Sequence, residues 1–87
     1  MATLTNTIKK ANKVTNSTPV VEGQFYNYLY KGYVVSFAKN GNEDQATNFY
    51  TKRSNLNDDM QSDYFAGTFH DNISQAFRFV DAMTKNK

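Results

Sequence analysis

Cysteine is absent from the 87-residue chain, and histidine occurs once, at His70. Without thiolates there is no disulfide, no thiol nucleophile and no sulfur-ligated metal site. One imidazole alone does not supply the nitrogen and sulfur set of a structural zinc. Lack of disulfides suits a small cytosolic domain. Tryptophan is missing, proline occurs only at Pro19, and the glycines number four. These glycines are isolated, so neither GxGxxG nor a phosphate-cradling loop is present and nucleotide hydrolysis is not expected. No glutamate follows Glu43, which removes the bidentate ligand of a calcium loop from the second half of the chain. No apolar run approaches the length of a membrane span. The opening MATLTNTIKKANKV lacks the apolar stretch of a secretory signal, and a soluble intracellular protein without membrane contact is expected.

What is present is aromatic. Seven Phe and six Tyr supply the bulk of a core that, at this size, excludes only about 60–65% of the unfolded surface from water. The length fits a single domain, residues 1–87. Ten basic and eight acidic residues give a net charge of +2. That balance is too even for a strong nucleic-acid footprint, and it excludes a DNA mimic built from massed acids.

Leu4, Ile8, Ala11 and Val14 recur at helical spacing, with Lys9, Lys10 and Lys13 mostly on the other side. They predict an amphipathic helix over 4–14, capped by Thr3 or Thr5. Eleven residues with little apolar content make a marginal helix, so residues 1–18 are expected to be the most loosely attached part. TNSTP, ending in Pro19, closes it as a loop.

Residues 24–39, QFYNYLYKGYVVSFAK, predict a β-hairpin turning at Lys31-Gly32, where Gly32 supplies a positive φ. A two-residue loop pairs Tyr30 with Tyr33, Tyr28 with Val35 and Tyr26 with Phe37. Alternation then puts Tyr26, Tyr28, Tyr30, Tyr33, Val35 and Phe37 on one face, the continuously large one and hence the core. Phe25, Asn27, Leu29, Val34, Ser36 and Ala38 take the other. Asn40-Gly41 marks a turn, residues 46–53 a third strand, and residues 64–69 a short fourth strand in which Gly67 implies a bulge or a close backbone approach. Residues 71–84 predict a helix capped by Asp71 or Asn72, with Gln75 at capping-box spacing. Its stripe is Ile73, Ala76, Phe77, Val80 and Met83, widened by Phe79. The fold class is α+β, order α-β-β-β-(β)-α. A three- to four-stranded antiparallel sheet carries N-terminal and C-terminal helices, one or both packed on one face.

The acidic stretch NLNDDMQSDYF raises the question of chemistry. Asp58, Asp59 and Asp63 offer hard oxygen ligands, but their spacing fits no EF-hand, and no metal or cofactor is expected. His70 has no nucleophile placed for it in a recognisable pattern. An enzyme is therefore not expected. The tyrosine row has two readings, core or a stacking platform for bases, and the scarcity of cations in the hairpin favours the first. Protein recognition fits more residues. Phe25, Leu29, Val34 and Tyr50 form a candidate apolar patch on the sheet face away from the core. Asp58, Asp59, Asp63 and Tyr64 form a candidate rim for a partner, followed by Lys52 and Arg53. The alternative is a small nucleic-acid-binding protein using Lys9, Lys10, Lys13, Tyr26 and Tyr28. A homodimer through sheet edges or faces is compatible with either reading.

The run YTKRSNLNDDMQSDYFAGTF, the helix after it and the upstream Tyr30-Lys31-Gly32-Tyr33 hairpin resemble one of the large polyvalent protein-associated domains. These are small α+β modules in giant proteins of phages and conjugative elements. The likeness spans roughly residues 25–82 and carries no catalytic residues. It implies a phage or mobile-element protein acting in the cytoplasm of a host bacterium. A free-standing version would be an inhibitor of a bacterial defence complex, such as an anti-CRISPR protein. The departure from the pattern is size, since no enzymatic neighbour accompanies the module.

Overall fold

The structure is a computed structural model, and it describes residues 3–53 and 67–85. The order is α1 (Leu4–Thr15), β1 (Val20–Glu22), β2 (Phe25–Tyr30), β3 (Tyr33–Lys39), β4 (Ala46–Arg53), β5 (Thr68–His70) and α2 (Ile73–Thr84). The five strands form one antiparallel meander in the order β1-β2-β3-β4-β5, and both helices pack on one of its faces. This is a compact α+β fold with one strand, β1, beyond those the patterning predicts.

The two hairpins follow turn chemistry. Lys31 and Gly32 both have positive φ, 51° and 81°, the sign pattern of a type I′ turn, whose twist matches that of the strands. Tyr30 pairs with Tyr33, Tyr28 with Val35 and Tyr26 with Phe37, as the two-residue loop requires. Between β1 and β2 Gly23 has φ 61° and Gln24 does not turn left-handed, the pattern of a type II′ turn with glycine first. The register of β3 on β4 slips between Ser36 and Ala38. Asn48, with φ 56°, absorbs the extra residue, since asparagine tolerates the left-handed region better than most side chains.

The core grows from the tyrosine face. Phe37, with no exposure, lies 5.5 Å from the ring of Tyr26, 6.0 Å from Tyr28 and 5.9 Å from Phe49. Ile73, Ala76, Phe77 and Val80 cover it from α2, and Leu4 and Ala11 from α1. Thr3 caps α1 by accepting from the Asn6 amide, and Asn72 caps α2 by accepting from the Gln75 amide. The Gln75 side chain reaches back to the Asp71 amide. Two expected stripe members lie outside the core: Val14 and Met83 are exposed. Each lies at the edge of its helix's apolar stripe.

Helix α1 is joined to the domain by polar contacts as well as apolar ones. The Leu4 amide donates to the Asp44 carbonyl at 3.1 Å, and Thr3 bridges Gln45. The Tyr28 hydroxyl lies 2.6 Å from the Asn12 amide. With its nitrogen turned inward, the Asn12 amide has the Tyr28 hydroxyl and the Ile8 and Ser17 carbonyls within reach of its two N–H groups. Burial pushes the Tyr28 phenol up to about 12, so this pair stays neutral.

Candidate protein-docking face

The helices cover one face of the sheet, and among the described residues no helix packs on the other. Cross-strand register arranges that outer face in rows. Leu29 pairs with Val34, and Val34 with Lys52. Val20 pairs with Asn27, Asn27 with Ser36, Ser36 with Tyr50, and Tyr50 with Phe69. Glu22 pairs with Phe25, and Phe25 with Ala38. In the middle row the Ser36 hydroxyl donates to Asn27 Oδ1 at 2.6 Å, which satisfies the polar pair at its centre.

Exposure divides this face. Val20 is 62% exposed, Phe25 48% and Leu29 62%. These three surround Asn27 on the adjacent strands β1 and β2 and form one apolar flank, with Glu22 at its margin. Val34 and Tyr50, expected in the same patch, are buried instead. Tyr50 packs on Phe69, ring centroids 4.9 Å apart, and lies against Gly67, where a Cβ would overlap its ring. Phe69 is itself exposed, but it lies beyond two intervening strands, β3 and β4, from the apolar flank. Val20 escaped the sequence reading because a three-residue strand leaves almost no periodic signal. Phe69 had a readable signal: alternation from Tyr50 through an antiparallel neighbour puts it on the outer face.

The other sequence-predicted residues separate. Asp58, Asp59, Asp63 and Tyr64 lie outside the described residues, as does the start of the expected fourth strand. Alternation along β4 puts Lys52 and Arg53 on opposite faces. Arg53 is exposed at the strand end, whereas Lys52 is buried and not a free cation. Lys9, Lys10 and Lys13 are all exposed on α1. Tyr28 is only 2% exposed and Tyr26 is half-buried on Phe37. The tyrosine row is therefore core, not a platform, because its rings stack under the helices.

His70 is the last residue of β5. Its Nε2 lies 2.8 Å from the hydroxyl of the buried Thr51, and its ring packs on Phe79. Burial lowers its pKa, against a smaller rise from the charge of Asp71. At neutral pH the imidazole serves Thr51, which would otherwise be an unpaired buried hydroxyl. Among the described residues no three His, Cys, Asp or Glu side chains gather where they could hold a metal ion. No helix among them is long and apolar enough to cross a membrane. No protein-family model, no curated protein and no solved structure matches the chain.

Proposed function

We propose that the chain is a binding protein without catalytic chemistry, encoded by a phage or mobile element. It would block a bacterial defence complex, in the manner of an anti-CRISPR protein, by covering a surface the complex needs. The observation that carries the reading is the flank of Val20, Phe25 and Leu29, exposed together on the sheet face opposite the helices. A contiguous exposed apolar flank of this kind marks a docking surface more readily than scattered single residues do. The resemblance of the Tyr50–Phe69 segment to polyvalent protein-associated domains supports the phage or mobile-element origin. The burial of Tyr28 weighs against the nucleic-acid alternative in its original form, because one of the two rings it relied on is inside the core.

The reading is tested in bacteria with a defined defence system challenged by a phage that the system restricts. Expression of the protein is expected to restore phage plating. The double variant Phe25→Ser with Leu29→Glu is expected to lose that effect while remaining folded. Plating that stays restricted with the wild-type protein across CRISPR and restriction systems would contradict the inhibitor reading.

A further inference from the structure

The helical layer carries a second surface, chemically unlike the apolar flank. Every charged residue of α1 is a cation: Lys9, Lys10 and Lys13, all exposed. Lys9 and Lys13 are one turn apart on the side of the helix away from Leu4 and Ala11. Lys10 turns toward α2 and donates to the Ser74 hydroxyl. That contact links α1 to α2 at one point, and Arg78, exposed, lies one turn beyond Ser74 along the same flank of α2. The only acid within either helix is Asp81. Its carboxylate is already taken, accepting from Lys31 at 2.7 Å and from the Tyr30 hydroxyl at 2.8 Å. With Asp81 paired by Lys31 of the hairpin turn, Lys9, Lys10, Lys13 and Arg78 are the charges along the two helices, while Asp44 and Asp71 lie at their N-terminal ends.

We infer that the outer surface of the helical layer binds the phosphate backbone of nucleic acid without reading sequence. Fixed cations of one sign on a rigid helical surface are what displaces counterions from a polyphosphate. Contacts to phosphate fix a protein on the duplex without reading its sequence, so the contact is electrostatic. The surface is separate from the apolar flank and does not depend on the proposed function. A defence complex that holds nucleic acid would meet both.

The test is fluorescence anisotropy with a labelled DNA duplex of about 20 base pairs, titrated with the whole protein at several salt concentrations. Neutralising four phosphates through Lys9, Lys10, Lys13 and Arg78 predicts a slope of about −3.6 in log K against log salt, roughly a hundredfold loss between about 50 and 200 mM. The double variant Lys9→Gln with Lys13→Gln leaves the Lys10–Ser74 contact in place. It is expected to keep the fold and lower the slope by about 2. Arg78→Gln is expected to lower it by about 1. The Phe25→Ser, Leu29→Glu variant is expected to bind duplex as the wild type does, which separates this surface from the docking flank. Absence of binding at about 50 mM salt, or a slope unchanged in the glutamine variants, would overturn the inference. Equal competition by poly-glutamate at matched charge would also overturn it, since the surface would then take any polyanion.

Discussion

The Tyr30 hydroxyl donates to Asp81 Oδ1 at 2.8 Å, and this bond fastens the tip of the β2–β3 hairpin to the last turn of α2. Lys31 donates to the same oxygen at 2.7 Å. Its ammonium lowers the Asp81 pKa, with a further contribution from the Tyr30 hydroxyl. The phenol is in turn raised, first by burial and then by Asp81. The two contacts differ in worth. The Tyr30 hydroxyl is part-buried, and its ring meets Phe77 edge-on at 5.0 Å. The Lys31–Asp81 pair is about half exposed on both sides, where solvent screens it. Tyr30→Phe is expected to cost about 1 kcal/mol, read by urea titration. Lys31→Asn should leave stability unchanged or raise it, because asparagine accepts the left-handed φ of a type I′ turn more readily than lysine. A larger loss for Lys31→Asn than for Tyr30→Phe would reverse this ranking.

His70 makes stability depend on pH. Its folded-state pKa is depressed from 6.5 by burial. Its contribution is therefore complete above the unfolded value and is lost as pH falls through the lowered folded value. The melting temperature of the wild type is expected to decline between roughly pH 7 and pH 5. In His70→Gln, which keeps a polar group near Thr51, that part of the decline should flatten. Parallel curves for the two proteins would show that His70 does not contribute to the pH dependence.

Gly67 is required by contact, not by turn geometry. A Cβ there would enter the ring of the buried Tyr50, and overpacking of this kind costs about 1–3 kcal/mol. Gly67→Ala is expected to destabilise by that amount in chemical denaturation. The double variant Gly67→Ala with Tyr50→Leu should lose less than the sum of the two single changes, because the ring that clashes is gone. Strict additivity would mean that the two sites are not coupled.

The acids Asp58, Asp59 and Asp63 give a prediction from sequence alone. Their joint replacement by alanine is expected to weaken partner binding and leave the melting temperature unchanged. Retained binding with a lowered melting temperature would make the segment a structural one.

Much of the fold follows from short-range patterning. Aromatic alternation with Lys31-Gly32 between the arms determines the hairpin register, because a slip of one residue would turn every large ring to the outer face. Thr3, Asn72 and Gln75 show the helix starts through capping chemistry. Gly67 within a strand signals a close approach, and Tyr50 is the residue it meets. The rest depended on contacts distant in sequence. Strand β1 has only three residues, and Val20-Val21-Glu22 pairs because Gly23 turns it onto β2. Beyond Leu4 and Ala11, the attachment of α1 uses Asn12, Asp44 and Gln45, polar residues with no periodicity to reveal them. On the outer face, Val34 and Leu29 are alike in sequence but not in exposure, 8% against 62%. For that reason the exposed apolar flank is narrower than the alternation implied, and Lys52 is buried beside Val34.

The most direct measurement of the central claim is affinity capture with the tagged protein from nuclease-treated lysate of a bacterium bearing an intact defence system. The Phe25→Ser, Leu29→Glu variant is run beside it. Retention of a subunit of a defence complex by the wild type, lost in the equally stable variant, is the predicted result. Capture of no defence subunit, or equal capture by both proteins, would contradict the assignment of the Val20, Phe25 and Leu29 flank as the docking face.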